Sequence, residues 1–152
     1  MGFTITKSGD LLASGHPGVG TDLPQPVGLI ESVDGGKSWA VRSRGGQSDF
    51  HALSASAGGV VGYDGTLRAS DDGSSWRTLS SPPEVMSLGA SPDGVDLLAA
   101  TGAGLQSSST AGKAWALVPG STSRYAFTPR TAFKPQNHYR VVVTTQNQLE
   151  AG

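Results

Sequence analysis

Cysteine is absent from this 152-residue chain, so disulfides and thiolate metal sites are excluded. Charge is also scarce. Eleven basic residues stand against twelve acidic ones for a formal net charge of -1. No basic stripe of the kind that neutralises phosphates stands out, which argues against a nucleic-acid partner. No apolar run approaches the roughly 18 residues a transmembrane helix needs, so no membrane span is expected. The opening Met1-Gly2-Phe3-Thr4-Ile5-Thr6 has neither the basic region nor the apolar block of a signal peptide. As written, the chain is expected in the cytoplasm.

Glycine and proline, by contrast, are plentiful, at 22 and nine residues. With abundant serine and threonine they point to short strands joined by tight turns rather than to a helical bundle. Three tryptophans, Trp39, Trp76 and Trp115, stand 37 and 39 residues apart. This spacing approximates a propeller blade of about 40–45 residues. Each tryptophan closes a related phrase: Ser32-Val33-Asp34-Gly35-Gly36-Lys37-Ser38-Trp39, then Ala69-Ser70-Asp71-Asp72-Gly73-Ser74-Ser75-Trp76, then Ser108-Ser109-Thr110-Ala111-Gly112-Lys113-Ala114-Trp115. Glycine precedes every tryptophan by three places, at Gly36, Gly73 and Gly112, and aspartate precedes the first two by five, at Asp34 and Asp71. Short apolar runs recur ahead of each phrase, such as Phe3-Thr4-Ile5, Leu11-Leu12-Ala13 and Gly28-Leu29-Ile30 in the first unit. Counting the segment that starts at the tryptophan, each unit has four strands, all too short to be helices of about ten residues.

The expected fold is therefore all-β, an array of four-stranded antiparallel blades forming one partial propeller domain. Blades are expected over residues 2–43, 49–80 and 84–119, with an incomplete one over 124–152. A propeller needs about four to eight blades to close, so three and a half leave an open arc. Two such arcs could complete one ring of seven, which makes a homodimer a candidate assembly.

The phrase Ser-x-Asp-x-Gly-x-Ser/Thr-Trp resembles the Asp-box, or BNR repeat, known from sialidases, sortilin-type receptors and photosystem II assembly factors. Residues 2–76 are similar to bacterial Asp-box proteins described as glycosyl-hydrolase-like. Leu12-Ala13-Ser14-Gly15-His16-Pro17-Gly18, Pro26-Val27-Gly28-Leu29-Ile30-Glu31-Ser32 and Asp49-Phe50-His51-Ala52-Leu53 carry that likeness. The resemblance implies a longer parent with further N-terminal blades, exported or attached to the envelope. In this motif Ser32, Asp34, Gly36, Trp39, Asp71, Gly73, Trp76, Gly112 and Trp115 have structural roles. The aspartate accepts N–H groups of its own loop, glycine permits a left-handed backbone, and tryptophan fills the space between sheets. The third copy has decayed, with Thr110 in place of aspartate and Ala114 in place of serine.

Candidate ligand-binding residues lie where first strands and the loops after second strands meet at one mouth of a propeller: His16, Asp49, His51, Tyr63 and Asp64. Two histidines with carboxylates form a polar-ligand site, or a divalent-metal site in which His16 and His51 are the ligands. Equally, His51 reads as a channel residue and His16 as a turn residue. Residues 18–25, in a loop longer than its counterparts, read as a candidate recognition loop or as a tolerated insertion. His138 reads as surface. A sialidase needs an arginine triad, a tyrosine–glutamate nucleophile pair and an aspartate acid/base. No such set is recognisable among Arg42, Arg44, Arg68, Arg77, Arg124, Arg130 and Arg140, and the pair Asp49 and Asp64 has no support beyond position. No catalytic residues and no cofactor are therefore assigned. The leading expectation is a non-enzymatic binding or scaffold module for a protein or carbohydrate. The alternative is a remnant of a glycosyl-hydrolase-like enzyme with an incomplete active site.

Overall fold

A computed structural model describes residues 1–121. Within them lie twelve strands and no helix, arranged as three separate four-stranded antiparallel sheets. The first sheet comprises β1 (Gly2–Ile5), β2 (Leu11–Ser14), β3 (Leu29–Ser32) and β4 (Ala40–Ser43). The second comprises β5 (Ala52–Ser56), β6 (Gly59–Tyr63), β7 (Leu67–Ser70) and β8 (Arg77–Thr78). The third comprises β9 (Val85–Ala90), β10 (Leu97–Thr101), β11 (Gly104–Ser108) and β12 (Ala116–Leu117). In each sheet the strands lie side by side in chain order. Innermost β5 packs between β1 and β9, so the sheets stack face to face like propeller blades. The expected fourth blade, residues 124–152, lies outside the described residues.

Alternation along the strands sets which face is buried. In β2, Leu12 and Ser14 point toward the second blade, and in β5, Leu53 and Ala55 point back toward the first. Leu12, Leu29, Phe50, Leu53 and Val60 thereby form one core between blades 1 and 2, and Ala52, Leu67, Val85, Leu88 and Ala99 form a second between blades 2 and 3. Phe50 is wholly buried and stacks on Trp76, with ring centroids 4.8 Å apart and planes at 28°.

Hydrogen bonds pin both seams from inner strand to outer turn. At the inner side, the Phe50 N–H donates to Ser14 Oγ (2.9 Å) and the Ala55 N–H to Thr4 Oγ1 (3.1 Å). One blade later, the Ala90 N–H donates to Ser54 Oγ (3.0 Å). At the outer side, the Trp76 indole donates to Ser43 Oγ and the Trp115 indole to the Ser80 carbonyl, both at 2.9 Å. Arg42, held by Glu31, donates to the Asp72 carbonyl of the next blade. Gly73 has φ 73°, and a Cβ there would run into Arg42, so glycine serves both the turn and this crossing.

Candidate functional site

The outer hairpins carry the repeat. In the first, Asp34 Oδ1 accepts the N–H groups of Lys37 and Ser38 (both 2.9 Å) and the Ser32 hydroxyl (2.8 Å), while Oδ2 accepts the Ser38 hydroxyl. Buried Ser32 in turn accepts the Gly36 N–H, and Gly36 has φ 90°. Four donors on one carboxylate hold Asp34 at a pKa of about 2, the Ser38 hydroxyl contributing most.

The second hairpin corrects the sequence reading. Asp71 does not accept the loop N–H groups; it pairs with Arg77 on the surface (2.7 Å). Its neighbour Asp72 accepts the N–H groups of Ser74 (2.7 Å) and Ser75 (2.8 Å) and the hydroxyl of Ser70 (3.0 Å). The two loop N–H groups, Ser75's foremost, hold the Asp72 carboxyl below the ordinary aspartate range. The physical reason is a hairpin one residue shorter than the first. Ser32, Ser70 and Ser108 recur at a constant step of 38 residues, so position in the turn is counted forward from serine rather than back from tryptophan. In the third hairpin Ser108 accepts the Gly112 N–H (3.0 Å), and Thr110 Oγ1 accepts the Ala114 N–H (2.9 Å) and bonds the Ser108 hydroxyl (3.2 Å), two bonds where Asp34 takes four. A further turn of this type escaped the sequence reading. In the β9–β10 hairpin, Asp93 accepts the Ser91 hydroxyl and the Val95 N–H, and the Ser91 hydroxyl holds the Asp93 carboxyl low. The run Ser91-Pro92-Asp93-Gly94 was its signal.

At the mouth, the five candidate residues divide into two groups. His16, just after β2, places Nε2 3.1 Å from Asp49 Oδ2, and His51, just before β5, places Nδ1 3.9 Å from the same oxygen. Both imidazoles are exposed, whereas Asp49 is largely covered, and its Oδ1 is buried without a hydrogen-bond partner among the described residues. The chain reaches this arrangement through three backbone bonds: Val27 N–H to the Gly15 carbonyl, Gly28 N–H to the Ser48 carbonyl, and His51 N–H to the Tyr63 carbonyl.

Asp64 is engaged elsewhere. It is nearly buried and accepts Arg68 Nε (3.1 Å), the Ser48 hydroxyl (2.6 Å) and the Thr66 N–H (3.2 Å), with Arg44 at 3.8 Å. Burial pushes its pKa up, but the Ser48 hydroxyl and the Arg68 guanidinium outweigh this and hold the carboxyl below its usual range. Asp64 therefore does not join the histidine cluster as the sequence suggested. The Tyr63 side chain packs beside the second core. Among the described residues no group of three or more His, Cys, Asp or Glu is arranged to hold a metal ion. In the 18–25 loop, Thr21 donates its N–H and hydroxyl to the Gly18 carbonyl, and Val19 stands fully exposed.

No family model and no curated protein matches this chain. Among solved structures, the chain is similar to "YCF48 bound to D1 peptide", with TM-score 0.55 and 17% identity over 76% of this chain and 39% of that one. The chain thus spans about two fifths of that neighbour, a β-propeller. The likeness establishes the blade fold. Among the described residues no helix is long and apolar enough to cross a membrane.

Proposed function

We propose that this chain is an Asp-box β-propeller module that binds a protein partner through an extended segment laid across the mouth formed by His16, Asp49 and His51. The observation that carries this reading is the arrangement at Asp49: two exposed imidazoles on one carboxylate oxygen, with the other oxygen unpaired among the described residues. A peptide backbone offers the alternating donors and acceptors that such a cluster binds, and imidazole both donates and accepts. That the neighbouring propeller's structure contains a peptide supports the choice of ligand class.

The glycosyl-hydrolase alternative calls for a carboxylic acid held protonated near neutral pH as the general acid. Each described carboxyl that the fold shifts, at Asp34, Asp64, Asp72 and Asp93, moves the other way. These groups are anchored acceptors, which suits a scaffold.

The test is fluorescence anisotropy with labelled D1 peptide, followed by an unbiased array of extended peptides. Saturable binding, weakened about tenfold or more in the His16→Ala/His51→Ala variant, is expected. A chain that binds no peptide on the array, or binds equally well without both histidines, would refute the assignment.

A further inference from the structure

The segments that carry the chain from one blade to the next repeat their geometry at the mouth. His51 directly precedes β5, and Glu84 directly precedes β9. Ala52 pairs with Tyr63 and Val85 with Thr101, so His51 stands beside the β6–β7 turn and Glu84 beside the β10–β11 turn. A Cβ on Gly102 would stand 2.7 Å from Glu84 Oε2, so the carboxylate lies over that turn and glycine leaves it room. Glu84 thus holds in blade 3 the place that His51 holds in blade 2.

Its electrostatic setting differs from that of its neighbours. Asp49 is met by two imidazoles, and Asp64 by Arg68, Ser48 and Thr66, with Arg44 close by. Glu84 is exposed and has neither a hydrogen bond nor an ion pair among the described residues. Yet its backbone sits at φ 53°, in the left-handed region that is unfavourable for any residue with a Cβ. Arg44 has φ 57°, and from there its guanidinium reaches Ser48 and Asp64. Ala111 has φ 51° and donates its N–H to the Val95 carbonyl. Of the three, Glu84 alone has neither a side-chain nor a loop hydrogen bond among the described residues to offset the strain. An uncompensated outlier of this kind, placed beside a binding site, points to a ligand.

We infer that Glu84 reads a basic side chain on the segment bound at His16, Asp49 and His51, which makes the partner a lysine- or arginine-bearing peptide. This rests on the peptide reading above and adds the charge of the ligand to it. Strands β5 and β9 pack against each other, so His51 and Glu84 stand in adjacent blades. Stacked sheets lie roughly 10 Å apart, and an extended chain advances about 3.3 Å per residue. The basic residue therefore lies about three residues from the peptide group held at His51. The flexible stem of a lysine absorbs small departures from that register. At an exposed rim such a pair adds little affinity; it speeds the approach of the right charge and rejects the wrong one.

The test is a charge swap. Labelled D1 peptide, capped at both ends, is made with each position in turn as lysine, alanine or glutamate. Each copy is titrated by fluorescence anisotropy at low salt against wild type and Glu84→Lys. With wild type, lysine at one position should bind about threefold tighter than alanine there, and glutamate should bind weakest. Glu84→Lys should reverse that order, and both preferences should fade at about 1 M salt. Peptides that still require both histidines but bind wild type and Glu84→Lys in the same order overturn the role of Glu84 and leave the peptide reading standing. Binding that ignores the histidines, or no binding by any peptide, overturns the peptide reading and this inference with it. Should Glu84→Lys fail to fold, Glu84→Gln decides: it should erase the preference for lysine, and a preference that persists refutes the pairing.

Discussion

Replacing Phe50 by alanine should open the seam between the first two blades. Phe50 is wholly buried, contacts the leucines of both blades and stacks on Trp76. Removing a buried phenylalanine costs about 3–5 kcal/mol, through lost transfer energy and the cavity left behind. The stacked pair adds about 0.5–1.5 kcal/mol beyond the area buried. Against a domain stability of about 5–15 kcal/mol, this is about a quarter of the total or more. The assay is urea unfolding followed by far-UV circular dichroism, for Phe50→Ala, Phe50→Leu, Trp76→Leu and the Phe50→Leu/Trp76→Leu pair. Phe50→Leu keeps most of the volume and should cost less than half as much as alanine. The cycle through Trp76 should return a coupling of about 0.5–1.5 kcal/mol. A loss of about 0.5 kcal/mol or less for Phe50→Ala, the size of an ordinary surface change, would show that the blades do not share one core at this seam.

Three further outcomes follow from the hairpins. Asp72→Ala should lower the melting temperature, whereas Asp71→Ala should leave it within error; equal effects would contradict the hydrogen-bond pattern of that turn. Thr110→Asp, especially with Ala114→Ser, should raise the melting temperature by a few degrees, as about 1 kcal/mol per restored hydrogen bond implies; a fall would count against the decayed-copy reading. Acid should destabilise the fold in a defined window. Asp34 has a folded pKa of about 2 against an ordinary 3.8, so its contribution is complete above 3.8 and disappears as pH falls through about 2. Asp64, Asp72 and Asp93 shift in the same direction and add to that loss. An unfolding midpoint in acid that is identical for wild type and Asp34→Ala would refute the linkage.

The blades were legible because their signals are local. A tight hairpin requires glycine and a short side-chain acceptor, and these recur visibly beside each tryptophan. Which aspartate acts was less legible: the deletion of one residue in the second hairpin shifts the tryptophan, not the serine, and counting from the larger landmark selected Asp71. The mouth was half legible. Chain order brings residues 16, 49 and 51 near one another in any four-stranded blade, so the histidine cluster could be anticipated. The fate of Asp64 could not, because it depends on Arg68 four residues on and on Arg44 and Ser48 from the preceding loop. The shortest strands, β8 and β12 at two residues each, carry almost no alternation and were found only through the turns before them.

The indole bonds between blades have a temporal consequence. Trp76 donates to Ser43 and Trp115 to Ser80, so each donor lies downstream of the acceptor it requires, by 33 and 35 residues. A chain emerging from the ribosome N-terminus first therefore exposes both indole acceptors before the tryptophans that will engage them. Each finished sheet offers a template on which the next can condense, with no need to wait for distant sequence. Assembly can proceed in the order of synthesis, and each step closes only a loop of about one blade.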